Sequence, residues 1–109
     1  GPDHPETATR LCNLAAVYTN TNRLKEAALM FEKAKLILEK HYGKNHIVVA
    51  RTLTSLSRAY DDKDDQEKRI MALRQALAIK CDFFGEDHPE TAKARSNLGD
   101  CLRVNGMIK

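Results

Sequence analysis

The chain has 109 residues, of which 42% are hydrophobic and 30% are charged, and its formal net charge is +3. This composition is typical of an ordinary globular protein rather than a disordered chain, and the length suits one domain. Acidic and basic residues are interleaved along the chain, so we expect a solvated surface and no nucleic-acid partner. No apolar run reaches the roughly 18 residues of a membrane span and no signal peptide is visible, so no membrane partner is expected.

A six-residue phrase occurs twice in the chain, and a weaker copy lies midway between the two. The phrase Asp-His-Pro-Glu-Thr-Ala occupies residues 3–8 and 87–92, and the degenerate copy begins at Asn45, 42 residues from each. A fixed period of about 20–50 residues is typical of stacked repeat proteins, which bind partners on extended surfaces. We therefore divide residues 3–109 into units of about 4–45, 46–87 and 88–109, and we interpret Gly1 and Pro2 as the remnant of an expression tag.

Apolar residues within the units recur at helical spacing. Two faces follow a spacing of three and four in the first unit: Leu11, Leu14, Ala15 and Tyr18, then Ala27, Phe31, Ala34 and Ile37. Apolar residues also recur at equivalent positions when the units are aligned. Leucine occupies one position in all three units, at 14, 56 and 98, and the pairs in the second helices are Phe31 with Leu73, Ala34 with Ala76, and Ile37 with Ile79. No alternating stretch with strand composition competes, so we predict an all-α chain with helices near 5–20, 25–42, 47–62, 66–84 and 89–105.

Residues at the predicted helix ends agree with this division. Proline stands in the first helical turn of two units and glycine at the end of two second helices: Pro5 and Pro89, then Gly43 and Gly85. The turn between paired helices carries Asn22, Asp64 and Gly106 at one position of the repeat. These residue types tolerate left-handed backbone, which we predict there.

These apolar residues carry a family resemblance. The spacing from Leu11 to Tyr18, followed by Ala27, Phe31 and Ala34, resembles the signature of tetratricopeptide repeats. The 42-residue period resembles the extended repeats of kinesin light chain and nephrocystin-3, in which a phrase like that of residues 85–92 joins the units. The resemblance covers the whole chain and implies an α-solenoid of antiparallel helical hairpins, with two full repeats plus the first helix of a third.

Two residues of the second unit depart from the repeat pattern. Gln66 replaces Leu24, and Arg69 replaces the small residue Ala27. The turn of the second hairpin is therefore more polar than that of the first, and we expect the helices to pack less closely there.

Three residue types could suggest chemistry, and each has a structural interpretation. His4, His46 and His88 recur with the repeat, so we interpret them as caps or packing groups at the joins between units rather than as metal ligands. The three cysteines, Cys12, Cys81 and Cys101, form no C-x-x-C pair and are read as small apolar residues in a reducing, cytoplasmic compartment. The methionines, Met30, Met71 and Met107, are expected to fill the core or the caps.

The sequence contains no nucleophile motif, no set of metal ligands and no glycine-rich phosphate loop. We therefore predict that the chain is not an enzyme and that it holds neither a metal nor a cofactor.

The family resemblance implies that the first helix of each unit lines a concave groove that grips a peptide. The polar residues predicted on the solvent face of these helices are Thr9, Asn13, Asn20, Arg51, Thr54, Ser55, Arg58, Lys93 and Asn97. The same face is predicted to carry Cys12, Ala16, Ser96 and Asp100. Asn13 and Asn97 match an asparagine of kinesin light chain-like repeats and would hold the ligand backbone, while Arg51, Arg58 and Lys93 would favour an acidic segment.

We predict a non-catalytic adaptor module that binds a protein or peptide segment in this groove. The alternative is a structural, oligomerisation or regulatory repeat array of a larger receptor or effector. Because the third unit lacks a second helix, we expect a fragment of a longer array. The apolar face left partly uncovered is a candidate surface for homo-oligomerisation and carries Leu98, Cys101, Leu102 and Ile108.

Overall fold

The computed structural model describes residues 4–61 and 63–106, which form five α-helices. The helices are α1 (Pro5–Asn20), α2 (Leu24–Tyr42), α3 (Ile47–Ala59), α4 (Gln66–Phe84) and α5 (Pro89–Val104), and a 3-10 turn, Lys63–Asp65, precedes α4. The described residues contain no strand, and the all-α prediction is confirmed. The predictions made for Gly1, Pro2, Met107 and Ile108 lie outside the described residues.

Each helix packs on the next one along the chain, which gives stacked helical hairpins. The first helices of the units, α1 and α3, also contact each other, whereas no Cα atom of α2 lies within 8 Å of one of α4. In this part of the stack the first helices therefore lie on the inner side of its curve. Across the described residues, no helix combines the length and the hydropathy that crossing a bilayer requires.

Three apolar cores hold the stack together. The largest contains buried residues of α1, α2, α3 and α4, including Leu53 at 1% exposure. The second joins α1, α2 and α3 around Phe31 and Leu56. The third joins α4 and α5 through Ile70, Leu73 and Cys101. The paired positions predicted on the second helices are all buried: Phe31 and Leu73, Ala34 and Ala76, and Ile37 and Ile79.

The equivalent leucines of the first helices are not buried alike. Leu56 is 2% exposed, because it packs in the second core with Ala15 of α1 and Phe31 of α2. Leu98 is half-buried, and Leu14 is 44% exposed. The hairpin that covers Leu56 has no counterpart ahead of α1 among the described residues. Leu14 therefore shares the repeat position of Leu56 without belonging to any of the three cores.

Two further residues differ from their predicted burial. Met71, predicted as core or cap filler, is 69% exposed because it lies on the side of α4 that faces neither α3 nor α5. Cys101, predicted to be partly uncovered, is buried because it packs against Ile70 and Leu73 of α4. Leu98 and Leu102 of the same face are half-buried.

The recurring histidines cap the first helices. The Nδ1 atoms of His4, His46 and His88 accept backbone N–H bonds from the residues two positions on, at 3.1, 3.1 and 3.0 Å. The ring of His46 also stacks on Tyr42 and that of His88 on Phe84, with centroids 4.6 and 4.2 Å apart. The interpretation as caps and packing groups at the joins is confirmed.

His46→Ala is expected to lower the free energy of unfolding by about 1 kcal/mol or less, because it removes one half-buried capping hydrogen bond from the start of α3. Chemical denaturation measures the loss. The matched control is His41→Ala, because His41 is exposed in the last turn of α2 and caps no first helix. A loss far above that of a cap, or unfolding of the wild type by a chelator, would contradict the assignment.

The turns between paired helices differ between the units. Asn22 and Gly106 have φ values of 63° and 72°, as predicted for left-handed backbone. Asp64 instead lies in the 3-10 turn, so the prediction is wrong at this position. In addition, α3 ends at Ala59 rather than near residue 62. The run 61–65 contains four aspartates, whose side chains favour turns over helix interiors and repel one another.

The glycines at the ends of α2 and α4 have an unusual backbone. Gly43 has φ 94° and ψ 158°, and Gly85 has φ 89° and ψ 164°. Both end their helices as predicted, but this conformation is not left-handed helix and is essentially restricted to glycine. The carbonyl of Gly85 accepts the hydroxyl of Thr91 at 2.7 Å, which ties the loop to the first turn of α5.

Candidate functional site

All nine predicted binding residues lie on α1, α3 and α5. Seven are exposed: Thr9, Asn13, Asn20, Arg51, Arg58, Lys93 and Asn97. Thr54 and Ser55 are half-buried. The hydroxyl groups of Thr9 and Thr54 donate to carbonyl oxygens four residues earlier, at 3.2 and 3.0 Å, so these groups already bond within their own helices.

One cleft, of about 310 Å³, brings three of the nine together: Thr54, Arg58 and Asn97. It lies between α3, α4 and α5, and its other lining residues are Ser57, Gln66, Arg69, Leu73, Asp100, Cys101, Val104 and Asn105. The remaining six predicted residues do not line it: Thr9, Asn13, Asn20, Arg51, Ser55 and Lys93. Of the predicted surface, only residues of α3 and α5 line this cleft, and no residue of α1 does.

The cleft exists because α3 and α5 are separated. No Cα atom of α5 lies within 8 Å of one of α3, whereas α1 and α3 approach within that distance. At the junction of α1, α2 and α3 the small residue Ala27 is fully buried in the second core. The equivalent position at the junction of α3, α4 and α5 carries Arg69, whose side chain lines the cleft. The first helices α3 and α5 therefore lie farther apart than α1 and α3 do.

The charges of the cleft are mostly positive. Arg69 Nη1 lies 3.8 Å from Asp61 Oδ1, and its Nε is buried without a hydrogen-bond partner among the described residues. Arg58 forms no ion pair with a described residue, whereas Asp100 is paired with Arg103 at 2.9 Å. Guanidinium groups are strong donors to carboxylates, so this arrangement suits an acidic or carbonyl-bearing group of a ligand.

Side-chain amides form one wall of the cleft. Asn105 Nδ2 donates to Gln66 Oε1 at 3.2 Å and to the Cys101 carbonyl at 2.8 Å, which links α4 to α5. The sequence interpretation did not assign Asn105, Gln66, Arg69 or Ser57 to the site. Gln66 and Arg69 could have been found, because they are the two polar departures from the repeat pattern.

Cys12, which the helical face assignment placed toward the groove, is partly buried against both larger cores. Burial raises the pKa of its thiol, and a hydrogen bond with Thr52 partly opposes that rise. The thiol is therefore protonated at neutral pH and is a weak nucleophile. Its role is packing between α1 and α3.

A partly buried hydrogen bond between side chains joins the first two hairpins. The hydroxyl of Tyr60 donates to the carboxylate of Glu32, and burial, reinforced by that carboxylate, raises the pKa of Tyr60. Both groups are engaged with each other and lie outside the cleft. Within residues 4–61 and 63–106, no three His, Cys, Asp or Glu side chains come together as metal ligands would.

Comparison with known proteins gives a family and several distant relatives. The family model described as tetratricopeptide repeat matches residues 7–47 and 49–90. A clustered mitochondria protein homolog of Aspergillus clavatus is 26% identical over 98 residues, which cover 90% of this chain and 8% of the relative. A protein of the same description from Coccidioides immitis is 24% identical over the same length.

A kinesin light chain-related protein 3 of Arabidopsis thaliana is 27% identical over 85 residues, or 78% of this chain and 13% of the relative. The chain thus spans only a small part of the length of the curated relatives it matches. The resemblance found in the sequence is confirmed for the repeat type.

Proposed function

Because the chain belongs to the tetratricopeptide repeat family, we propose that it is a non-catalytic module that binds a segment of a partner protein along α1, α3 and α5. Repeats of this family are generally protein-interaction modules. The observation that carries the proposal is the cleft at which Thr54, Arg58 and Asn97 converge on the first-helix side of the stack. An extended surface of this kind suits a peptide better than a small molecule.

In the proposed mechanism, side-chain amides bind the backbone of the ligand and cationic side chains select its acidic residues. The amides of Asn13 and Asn97 offer a donor and an acceptor to a peptide bond and would hold the ligand regardless of its sequence. Arg58, which has no ion pair with a described residue, would select an acidic side chain at the cleft. Arg51 and Lys93, both exposed, would extend this preference along the surface. The ligand class is therefore an acidic peptide segment.

We also propose that the module works in the cytoplasm. Cys12, Cys81 and Cys101 are all free, which suits a reducing compartment. A structural or oligomerisation role is the alternative function, and the exposed apolar side chains on the outer sides of α2 and α4 favour it.

Arg58→Glu is expected to weaken the binding of an acidic peptide by about tenfold or more, because it replaces an attractive charge by a repulsive one. The probe is a fluorescein-labelled peptide of Glu and Asp residues around one apolar anchor, titrated by fluorescence anisotropy. We expect micromolar-class affinity, about −8 kcal/mol, that falls as salt rises. Arg74→Glu is the matched control, because it makes the same charge change at an exposed position of α4.

Asn13→Ala distinguishes the two parts of the mechanism. It is expected to weaken acidic and neutral peptides by the same factor, because it removes a backbone contact and leaves the charge unchanged. If Arg58→Glu, Arg51→Glu and Asn13→Ala all leave the affinity unchanged, the first-helix surface is not the binding site.

A further inference from the structure

A line of exposed side chains follows the outer side of α2, opposite the side that packs in the cores. Its five members are Lys25, Leu29, Lys33, Leu36 and Lys40, and all are exposed. The spacing of three or four residues places them in one row along the helix. Leu29 and Leu36 are 67% and 63% exposed, and neither belongs to a core. We name this row the α2 outer line.

The equivalent row on α4 lies 42 residues later at every position. Its members are Glu67, Met71, Gln75, Ala78 and Asp82, and all are exposed. Apolar residues again occupy the second and fourth places, and Met71 is 69% exposed. The charges at both ends are reversed, since acidic residues stand where the α2 outer line has lysines. We name this row the α4 outer line.

Contacts within the described residues leave the large apolar side chains of the rows exposed and three of the four end charges without an ion pair. Lys25, Glu67 and Asp82 form no ion pair with any residue that the structure describes. Both rows face away from the first helices, so they are separate from the proposed peptide surface. Large apolar side chains that stay exposed in a row with charges at its ends are typical of an interaction surface.

We propose that the two rows form a homodimer interface, in which the α2 outer line of one copy packs in parallel on the α4 outer line of the other. A two-fold axis parallel to the helices generates the same contact twice. In this register Lys25 of one copy faces Glu67 of the other, and Lys40 faces Asp82. Between them Leu29 faces Met71, and Leu36 faces Ala78.

The charge pattern selects this arrangement over the other face-to-face one. A two-fold axis perpendicular to the helices would pack α2 on α2 and α4 on α4, both antiparallel. Lys25 would then face Lys40, and Glu67 would face Asp82, so every end contact would be repulsive. The parallel arrangement makes all four end contacts attractive. Opposite charges at interface edges fix register and suppress wrong pairings in this way.

The test uses two double variants of the full chain and their mixture. K25E/K40E makes the ends of both rows acidic, and E67K/D82K makes the ends of both rows basic. Each variant alone is expected to raise the dimer dissociation constant by about tenfold or more, because like charges then face each other at every end contact. An equimolar mixture is expected to dimerise again as a heterodimer, because acidic and basic rows then face each other at both contacts.

Sedimentation equilibrium measures the association, and circular dichroism checks that each variant is as helical as the wild type. The matched control for K25E/K40E is K44E/K63E, which makes the same change of net charge at exposed positions outside both rows. Its dimer is expected to match that of the wild type. Leu29→Ser gives a second variant that weakens the dimer without altering charge, should a double variant fail to fold.

Three outcomes would overturn the proposal: a wild type that stays monomeric at its highest soluble concentration, double variants that associate as the control does, and a mixture that stays monomeric. The first would leave the rows to a different occupant, such as an acidic helix of another protein on α2. Peptide binding by Arg58 is measured separately, so a failure here leaves the proposed function untouched.

Discussion

Leu56→Ala is expected to lower the free energy of unfolding by about 2–5 kcal/mol. Leu56 is 2% exposed and packs with Ala15 and Phe31 in the core that joins the first two units. Truncation removes apolar contacts and leaves a cavity that the close-packed helices fill only in part. Because this core links α1, α2 and α3, the loss falls on the stack as a whole. Urea denaturation followed by circular dichroism measures it.

Leu14→Ala is the matched control for that substitution. Leu14 occupies the same position of the repeat, but it is 44% exposed, and its side chain loses less on truncation. We expect a loss of about 1 kcal/mol. Equal losses for the two variants would mean that repeat position, rather than the neighbouring hairpin, sets the contribution of this leucine.

Gly85→Ala is expected to lower the free energy of unfolding by about 1–3 kcal/mol. Gly85 has φ 89° and ψ 164°, a conformation that a residue with a Cβ atom adopts only under strain. A Cβ atom at this position would meet no atom within 4 Å beyond its chain neighbours, so the expected cost is backbone strain rather than a clash. The same argument applies to Gly43 at the end of α2.

Gly99→Ala provides the opposite result in the same protein. Gly99 lies inside α5, and a Cβ atom there would also meet nothing within 4 Å. Because alanine is the better helix former, we expect this variant to gain about 0.5–1 kcal/mol. Thermal denaturation of the two variants side by side checks both signs. A stabilising Gly85→Ala would contradict the assigned backbone.

The fold was predictable because its information is local and repeated. Apolar residues at helical spacing predict each helix. The 42-residue period places Phe31 and Leu73 at equivalent positions of successive units, and both are buried. The histidine caps were predictable for the same reason, because a residue that recurs wherever one unit follows another is expected to have a structural role there. The end of α3 was less predictable. The helix was expected to continue to residue 62, but it ends at Ala59 because the aspartates that follow favour a turn.

The burial of a side chain and the shape of the candidate site depend on which helices pack nearby, and the spacing of apolar residues in the sequence does not predict that. Leu14 and Leu56 are the same residue in the same register, yet only one has a hairpin packed against it. Thr54, Arg58 and Asn97 line one cleft because α5 lies apart from α3, and Arg69, a large residue at a small-residue position, lines the same opening. The sequence identified the substitution but not where the opening would lie.

The third core has a mechanical consequence for the cleft. It joins α5 to α4 alone, and no residue of α5 belongs to the two larger cores. A change in the angle between α4 and α5 would therefore move Asn97 relative to Arg58 without unpacking the rest of the stack. The width of the cleft therefore depends on what joins α4 to α5, which includes the third core and the hydrogen bonds from Thr91 to the Lys80 carbonyl and from Asn105 to Gln66. For the peptide proposed to bind there, a tilt of this one helix would adjust the cleft to side chains of different length.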